Sequence, residues 1–299
     1  MTSTDERHAE PWQPRTWIAV VLSLIAPSAG IVYAGRFWLA ALALSLWIAL
    51  AFAVALLVGN GAVSSWLGFG LLVPAFVLIA VGSALAARRA TPARRRASQQ
   101  PAAVATYIIA VVATLFGVQS LIRSQLVESF TAASTSMLPS LVRGQSFTVS
   151  KLRPPIRGDI VVYSVHVERF PGGPARQSYL KRVVALGGDH FRIDDAGTVW
   201  INGESLDGAP CGAVPNIQPT MERPVPGHCV EERFGARSWR VWRADDRDRW
   251  RGLDIPYLDI TVPSGHFFVL GDNREASEDS RFRGPVPDAD LLGVVIDTW

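Results

Sequence analysis

The sequence predicts transmembrane helices at the N-terminus followed by a mainly β domain. The first observation is a positive mean hydropathy, +0.21, over a chain of 299 residues. The second is that the apolar excess lies in the first 122 residues, in runs near the roughly 20 residues that a membrane-spanning helix requires. The third is a change of pattern from residue 146 onward, to short β-rich runs separated by Gly and Pro.

Four apolar runs are candidates for membrane spans. Residues 37–59 and 66–87 contain no charged side chain, and residues 102–122 form a third span. Residues 17–34 are interrupted near Pro27, so this run either crosses the membrane or forms a kinked or re-entrant helix. A buried core helix is the alternative for each run, but long segments without a polar stripe favour the membrane.

Basic residues predict the orientation of these helices. The densest basic cluster is a loop of five arginines: Arg88, Arg89, Arg94, Arg95 and Arg96. By the positive-inside rule this loop is cytoplasmic, and the next run carries residues 123–299 to the outer face. The N-terminus is then outside if residues 17–34 cross, and cytoplasmic if they are re-entrant. No cleavable signal peptide is expected, because the first apolar run follows a tail of mixed charge.

The outer half is predicted to be all β, with no amphipathic helix of ten residues. Strand-like composition occurs in six runs: 146–151, 159–165, 179–186, 198–202, 259–262 and 267–270. Residues 203–257 are instead rich in Gly, Pro, Arg and Asp, and we interpret them as an inserted subdomain. The expected organisation is a tail, a membrane domain, and a β domain split by the insertion: 1–16, 17–122, 123–202, 203–257 and 258–299.

The insertion contains an unusual stretch in which three tryptophans lie among seven arginines between positions 233 and 251. Such a pattern could bind single-stranded nucleic acid, but nearby aspartates and the outer compartment argue against it. A solvated ribbon and a contact with anionic lipid headgroups both stay open. The insertion also holds the only cysteines, Cys211 and Cys229. In an oxidising compartment we expect a disulfide between them, with two unpaired thiols as the alternative.

Common hydrolase motifs are absent from the sequence. It contains neither His-Glu-x-x-His nor Gly-x-Ser-x-Gly, and its five histidines lack ligand spacing. Ser178 and Lys181 match the Ser-x-x-Lys pattern of β-lactamases. They lie in a predicted strand, however, where an offset of three places two side chains on opposite faces.

Four short blocks resemble the type I signal peptidases. They are STSMLPSL at 134–141, RGDIVVY at 157–163, YLKRVVALGGD at 179–189 and GDNREASEDSR at 271–281. The blocks occur in the family's order behind a membrane anchor, within roughly residues 125–190 and 260–299. This resemblance implies a signal-peptidase-like β fold with an inserted β subdomain.

The resemblance also implies a serine protease with a Ser/Lys dyad. Ser136 would be the nucleophile, Lys181 the general base, and Ser134 an oxyanion-hole donor. Ser277 matches a serine that holds the lysine amine in place. Three further positions match residues that brace the site: Asp272, Asp279 and Arg281. For the last two, a structural ion pair without a catalytic part is the favoured alternative.

Burial would make Lys181 a usable base. A lysine with an ordinary pKa near 10.4 is deprotonated in only about one molecule per thousand near neutral pH. Lys181 lies in an apolar alternation with Tyr179, Val183 and Ala185, and desolvation there would lower its pKa. The alternative is a solvated lysine beside Arg182.

The resemblance therefore implies an endopeptidase that removes N-terminal signal peptides from exported preproteins through an acyl-enzyme, with no metal or cofactor. The expected location is the bacterial inner membrane, multi-pass, with the catalytic domain on the outer face. Expected partners are preproteins, membrane lipids and the secretion machinery, and not nucleic acid. Two rival interpretations are an autoprocessing repressor protease, which would be soluble, and a non-enzymatic relative, which would lack part of the dyad.

Overall fold

The computed structural model describes residues 11–167, 175–194, 197–206, 208–212, 226–245 and 258–299. The chain divides into two compact units, Met1–Leu126 and Val127–Trp299. This boundary is close to the predicted one after residue 122. An apolar helical unit followed by a mainly β unit confirms the predicted fold class.

The described part of the first unit contains five α-helices: α1 (Thr16–Ile25), α2 (Ala29–Tyr33), α3 (Phe37–Gly59), α4 (Ser65–Arg88) and α5 (Pro101–Gln125). Within the described residues, α3, α4 and α5 are long and apolar enough to span a membrane, with 23, 24 and 25 residues. At a rise of about 1.5 Å per residue, each exceeds the roughly 30 Å hydrocarbon core. These helices coincide with the three strongest predicted spans.

Residues 17–34 do not form one continuous helix. Helix α1 has 10 residues and α2 has 5, so each is too short to cross a bilayer. The chain turns between them at Ser28, whose backbone is left-handed with φ of 69°. The two helices pack closely at Gly30, where an added Cβ would lie 1.9 Å from the carbonyl oxygen of Ala19. This geometry favours the re-entrant alternative.

Both ends of this short helix pair lie beside the basic loop that follows α4. The backbone N–H and C=O groups of Trp12 and Ala93 hydrogen-bond each other reciprocally, at 3.1 Å each. The Arg96 guanidinium donates to the carbonyl oxygen of Gly35 at 3.0 Å. The segment before α1, the end of α2 and the loop after α4 therefore meet at the same end of the helical unit.

The described part of the second unit contains fourteen strands, one short α-helix, α6 (Ser280–Arg283), and one 3-10 turn, Asp288–Asp290. The strands are β1 (Val127–Thr131), β2 (Ser146–Ser150), β3 (Ile160–Val167), β4 (Ala175–Leu186), β5 (His190–Ile193), β6 (Val199–Ile201), β7 (Glu204–Ser205), β8 (Pro210–Gly212), β9 (Gly227–Phe234), β10 (Arg237–Ala244), β11 (Leu258–Thr261), β12 (His266–Leu270), β13 (Val286–Pro287) and β14 (Leu291–Thr298).

These strands form three antiparallel sheets. The largest has the order β1-β2-β14-β3-β4-β12-β13, and the others are β10-β9-β8 and β11-β5-β6-β7. The main apolar core joins all three sheets, since it contains Phe268 from β12, Val241 from β10 and Phe191 from β5. Strand β4 lies between β3 and β12, near the middle of the seven-stranded sheet.

The Arg- and Trp-rich stretch is not a solvated ribbon where the structure describes it. It forms strand β10, in which Trp239, Val241 and Trp242 are buried. The indole of Trp239 and the side chain of Val241 pack in the main core with Val230 of the paired strand β9. The solvated-ribbon interpretation is therefore wrong for this strand. Trp250 lies outside the described residues.

The two cysteines lie on neighbouring strands of the smallest sheet. Cys211 is in β8 and Cys229 in β9, with their sulfur atoms at bonding distance and their Cα atoms 5.1 Å apart. That Cα separation lies within the usual range of disulfides. We predict that denatured, unreduced protein contains no thiol that reacts with a thiol reagent. Two reactive thiols per chain would contradict the disulfide.

Candidate active site

Ser136 lies on the loop that connects β1 to β2, residues 132–145, here called the serine loop. The ends of this loop are joined by two backbone hydrogen bonds, from Ala132 to Gln145 at 2.9 Å and from Gly144 to Ala132 at 2.8 Å. Met137 follows the serine and is buried. The loop is therefore anchored at its base and beside Ser136. Ser136 itself is only 7% exposed.

Lys181 reaches this serine from strand β4. Its Nζ atom lies 2.7 Å from Ser136 Oγ, which is hydrogen-bond distance. The lysine is 5% exposed, and its amine lies 5.6 Å from the centroid of the Tyr179 ring. The predicted nucleophile and base are thus in direct contact, although 45 positions separate them in the chain.

Burial lowers the pKa of Lys181 to about 8. Desolvation of the ammonium is the largest cause, and the nearby positive charge of Arg281 acts in the same direction. The carboxylates of Asp279, Asp272 and Glu278 oppose this change. With a pKa of about 8, about one lysine in ten is neutral near pH 7, and a neutral amine can accept the Ser136 proton.

The sequence predicts that Tyr179, Val183 and Ala185 share one face of the strand with Lys181, and the structure differs for Ala185. Tyr179 and Val183 pack in one core cluster, as the two-residue alternation predicts. Ala185 packs in the other cluster together with Val184. The reason is a β-bulge, because β12 pairs with Ala185 and then with Val183, leaving Val184 as an extra residue.

Ser134 completes the contacts of the nucleophile. Its hydroxyl oxygen lies 3.0 Å from Ser136 Oγ and accepts a hydrogen bond from the Ser136 backbone N–H at 3.5 Å. A hydroxyl and a backbone N–H are the donor types of an oxyanion hole, and here both lie beside the nucleophile and contact each other.

We predict that Ser134→Ala lowers kcat by roughly 10²- to 10³-fold, which is typical for the loss of one oxyanion donor. KM should change much less, since the developing oxyanion exists only in the transition state. Steady-state kinetics on a signal-peptide substrate measures both constants. An unchanged kcat would place the oxyanion donors elsewhere.

Ser277 is buried close to the nucleophile, but the described structure contains no hydrogen bond between its hydroxyl and the Lys181 amine. Gly271 lies between Ser277 and the serine loop. A Cβ added at Gly271 would lie 2.1 Å from Ser277 Oγ and 2.6 Å from the carbonyl oxygen of Ser136. The lysine-orienting role of Ser277 stays a prediction.

Asp272 forms a buried ion pair with Arg182, the residue after the lysine. The guanidinium donates to both carboxylate oxygens, at 2.7 and 2.6 Å. It also donates to the carbonyl oxygen of Gly158 at 2.7 Å and to Ser140 Oγ at 3.0 Å. Arg182 therefore links β4 to the serine loop and to the segment after β12, a role that the sequence analysis did not assign.

Asp279 and Arg281 form a second buried ion pair. Arg281 donates to both carboxylate oxygens, at 2.8 and 2.9 Å, and Asp279 also accepts the backbone N–H of Gly271 at 2.8 Å. Burial alone would raise the pKa of Asp279, but the charge of Arg281 holds it below its ordinary value. These contacts suit the structural interpretation of the pair, since the hydrogen bonds described for it brace the segment that follows β12.

Asn273 contacts the serine loop directly, and sequence reasoning missed it. Its backbone N–H donates to the carbonyl oxygen of Ser136 at 3.0 Å, and its side-chain amide donates to the carbonyl of Thr135 at 3.2 Å. The available signal was its place inside the fourth sequence block. Among the described residues, no group of three or more His, Cys, Asp or Glu side chains could hold a metal ion.

Comparison with known proteins gives a consistent set of relatives. The sequence model of the family described as "Signal peptidase, peptidase S26" matches residues 103–299. Signal peptidase I of Pseudomonas fluorescens is 33% identical over 204 residues, which cover 60% of this chain and 66% of that protein. Signal peptidase I of Pseudomonas aeruginosa is 32% identical over 193 residues, which cover 59% and 62%.

Among solved structures, a signal peptidase I from Enterococcus faecalis V583 is 26% identical, with a TM-score of 0.26. The match covers 48% of this chain and 97% of the other. The chain spans slightly less than two thirds of the length of the two Pseudomonas relatives. The family match alone covers well over half of the chain and includes every residue of the Ser134, Ser136 and Lys181 cluster. The chain belongs to the signal peptidase, peptidase S26 family.

Proposed function

We propose that this protein is a membrane-bound serine endopeptidase that removes N-terminal signal peptides from exported preproteins. The observation that carries this proposal is the buried contact of 2.7 Å between Lys181 Nζ and Ser136 Oγ. A lysine with a lowered pKa beside a serine hydroxyl is the arrangement that an activated nucleophile requires. Membership of the family supports preproteins as the substrate class.

The proposed reaction begins when the neutral Lys181 amine accepts the Ser136 proton and the serine oxygen attacks the scissile carbonyl carbon. The Ser134 hydroxyl and the Ser136 backbone N–H donate to the oxyanion of the tetrahedral intermediate. The Lys181 ammonium then gives its proton to the departing amine, leaving the signal peptide as an ester on Ser136. Water, deprotonated by Lys181, hydrolyses this ester and regenerates both side chains.

Substrate would bind as an extended segment along a strand edge, with small residues at positions −1 and −3 of the cleavage site. The test uses the detergent-purified full chain and a preprotein with Ala at both positions. Mass spectrometry of the products is expected to show one cut after the −1 residue. Efficient cutting after Phe or Lys introduced at −1, or no cutting of several preproteins, would contradict the proposal.

Two rival functions make different predictions. An autoprocessing repressor protease would be soluble, whereas α3, α4 and α5 are long and apolar enough to span a membrane. A non-enzymatic relative would lack part of the dyad, whereas Ser136 and Lys181 are both present and in contact. Neither rival is favoured by an observation on this chain. Membrane lipids and the secretion machinery are the further partners that we propose.

We also propose that the protein crosses the bacterial inner membrane three times, with the N-terminus in the cytoplasm and the β unit outside. The supporting observation is that Trp12 and Gln13 meet the arginine-rich loop at one end of the helical unit, through hydrogen bonds with Ala93 and Ala90. If that loop is cytoplasmic, the segment before α1 lies on the same side, and the α1–α2 pair enters and returns.

Cysteine labelling tests this topology in cells with a reagent that does not cross the membrane. We predict that Ser3→Cys is unlabelled until the cells are lysed, like Thr91→Cys in the basic loop. Ala62→Cys, in the loop between α3 and α4, should be labelled in intact cells and serves as the outside control. Labelling of Ser3→Cys in intact cells would instead establish four crossings.

A further inference from the structure

The hairpin of β9 and β10 forms backbone hydrogen bonds with the segment that follows β12. Trp242 donates its backbone N–H to the carbonyl oxygen of Asp272 at 2.8 Å, and Arg274 donates its own to the carbonyl of Trp242 at 3.2 Å. These bonds form a short parallel bridge between Trp242 and Asn273. The inserted subdomain is thus joined to this segment by backbone as well as by side chains.

The same segment also contacts the backbone of Ser136, the proposed nucleophile. Asn273 lies at the centre of the bridge, and its backbone N–H and side-chain amide donate to the carbonyls of Ser136 and Thr135. A displacement of Asn273 would therefore move the Ser136 backbone. In this series of hydrogen bonds, Asn273 connects the hairpin to the serine loop.

A buried carboxylate on the hairpin fixes the segment further. Glu232 of β9 has no exposed surface and accepts hydrogen bonds from both terminal nitrogens of the Arg274 guanidinium. It also accepts the Trp239 indole N–H at 2.9 Å and the Arg243 guanidinium at 3.1 Å. The third nitrogen of Arg274, Nε, donates to the carbonyl oxygen of Gly271 at 3.1 Å.

The charged groups of this buried cluster stabilise one another. Burial alone would raise the pKa of Glu232, but the charges of Arg274 and Arg243 hold it below its ordinary value, so the carboxylate is ionised. Removal of the carboxylate charge would leave the buried guanidinium of Arg274 without the anion that it pairs with directly, and such a group moves toward water where it can. Because Arg274 also holds Gly271, its movement would displace the two ends of the segment that carries Asn273.

We propose that Glu232, acting through Arg274, is a positioning residue that holds Ser136 against Lys181. The inserted subdomain is then part of the catalytic machinery, and not only an attachment to it. This inference rests on the proposed function, because it assigns Glu232 a part in the same reaction. A merely structural Glu232 would contribute to stability and leave the geometry of the dyad unchanged.

The test compares Glu232→Gln with Glu231→Gln in the purified full chain. Glu231 is the neighbouring carboxylate on the same strand, and it pairs with Arg233 at the surface instead of with the segment after β12. We expect Glu232→Gln to lower kcat by roughly 10²-fold, as a displacement of about 1 Å can do, with a smaller change in KM. Glu231→Gln should match the unmodified protein in both constants.

A second readout does not depend on cleavage. The chain has two lysines, Lys151 and Lys181, so ¹³C-lysine labelling gives two side-chain signals, which Lys151→Arg assigns. If Glu232→Gln lets Ser136 move away and water reach the amine, the pKa of Lys181 rises from about 8 towards its ordinary value. Glu231→Gln should leave this titration unchanged.

Failure of this inference and failure of the proposed function are distinguishable. If the unmodified protein cleaves no preprotein, the function is wrong, and the Lys181 titration still tests the positioning. A folded Glu232→Gln protein with unchanged kcat and unchanged Lys181 titration would overturn the inference. If that variant does not fold, Arg274→Gln, which removes the guanidinium that contacts both Glu232 and Gly271, should lower kcat and raise the pKa of Lys181 in the same way. A folded Arg274→Gln protein without either change would also overturn the inference.

Discussion

Replacement of Ser136 by alanine is expected to abolish signal-peptide cleavage while leaving the protein folded. The hydroxyl is the attacking group, and without it no ester can form. In other serine proteases the loss of the nucleophile lowers kcat by on the order of 10⁶-fold. The Ser136 side chain is small, and its described hydrogen-bond partners are Lys181 and Ser134, so little folding energy depends on it.

The matched control for this substitution is Ser178→Ala. Ser178 lies on the same strand as Lys181 and belongs to the Ser-x-x-Lys pattern that sequence reasoning dismissed. Its side chain is exposed, and its strand partner is Ser164. Initial rates of product formation for both variants decide the question. Loss of activity in Ser178→Ala together with retention in Ser136→Ala would reverse the assignment of the nucleophile.

Replacement of Lys181 by methionine is expected to lower kcat about as much as the loss of Ser136, because the two groups act as a unit. Methionine matches the length of the lysine alkyl chain and keeps its apolar packing but has no amine. Lys181→Arg should be equally inactive, since a guanidinium keeps the positive charge and cannot lose its proton in a protein. Lys151→Met is the control, because Lys151 pairs with Glu128 in another part of the β unit.

The pH dependence of the unmodified protein checks the role of Lys181 as a base. Its pKa of about 8 predicts that kcat/KM rises between pH 6 and 8 as the amine loses its proton, and levels off above the pKa. The sign follows from the chemistry, because the neutral amine is the active form. A rate that falls steadily from pH 6 to 9 in folded protein would exclude a lysine base.

The sequence predicted the elements whose signals are local. Residues 37–59, for example, are apolar without interruption, and length alone identifies them as a span. The run 146–151 has the β-rich composition of a strand, and it appears as β2, which is buried along most of its length. The dyad followed from the four sequence blocks, and burial of Lys181 in β4 was expected from its apolar neighbours.

The features that could not be predicted depend on distant contacts. Strand β10 contains three arginines, which suggest a solvated surface, yet Arg243 is buried because Glu232 of the paired strand neutralises it. The bulge at Val184 depends on pairing with β12 and leaves no mark in the local alternation. The pairing of Arg182 with Asp272 likewise joins groups 90 positions apart.

Trapping the acyl-enzyme shows whether the signal peptide becomes attached to Ser136. Full-length protein is mixed with excess preprotein at pH 7, quenched in acid after short intervals, digested and analysed by mass spectrometry. A peptide containing Ser136 is expected to gain the mass of the signal peptide's C-terminal fragment, and Lys181→Met is expected to show no such gain. Acylation of any other residue, or acylation of Ser136 at an undiminished rate in Lys181→Met, would exclude the Ser136–Lys181 dyad.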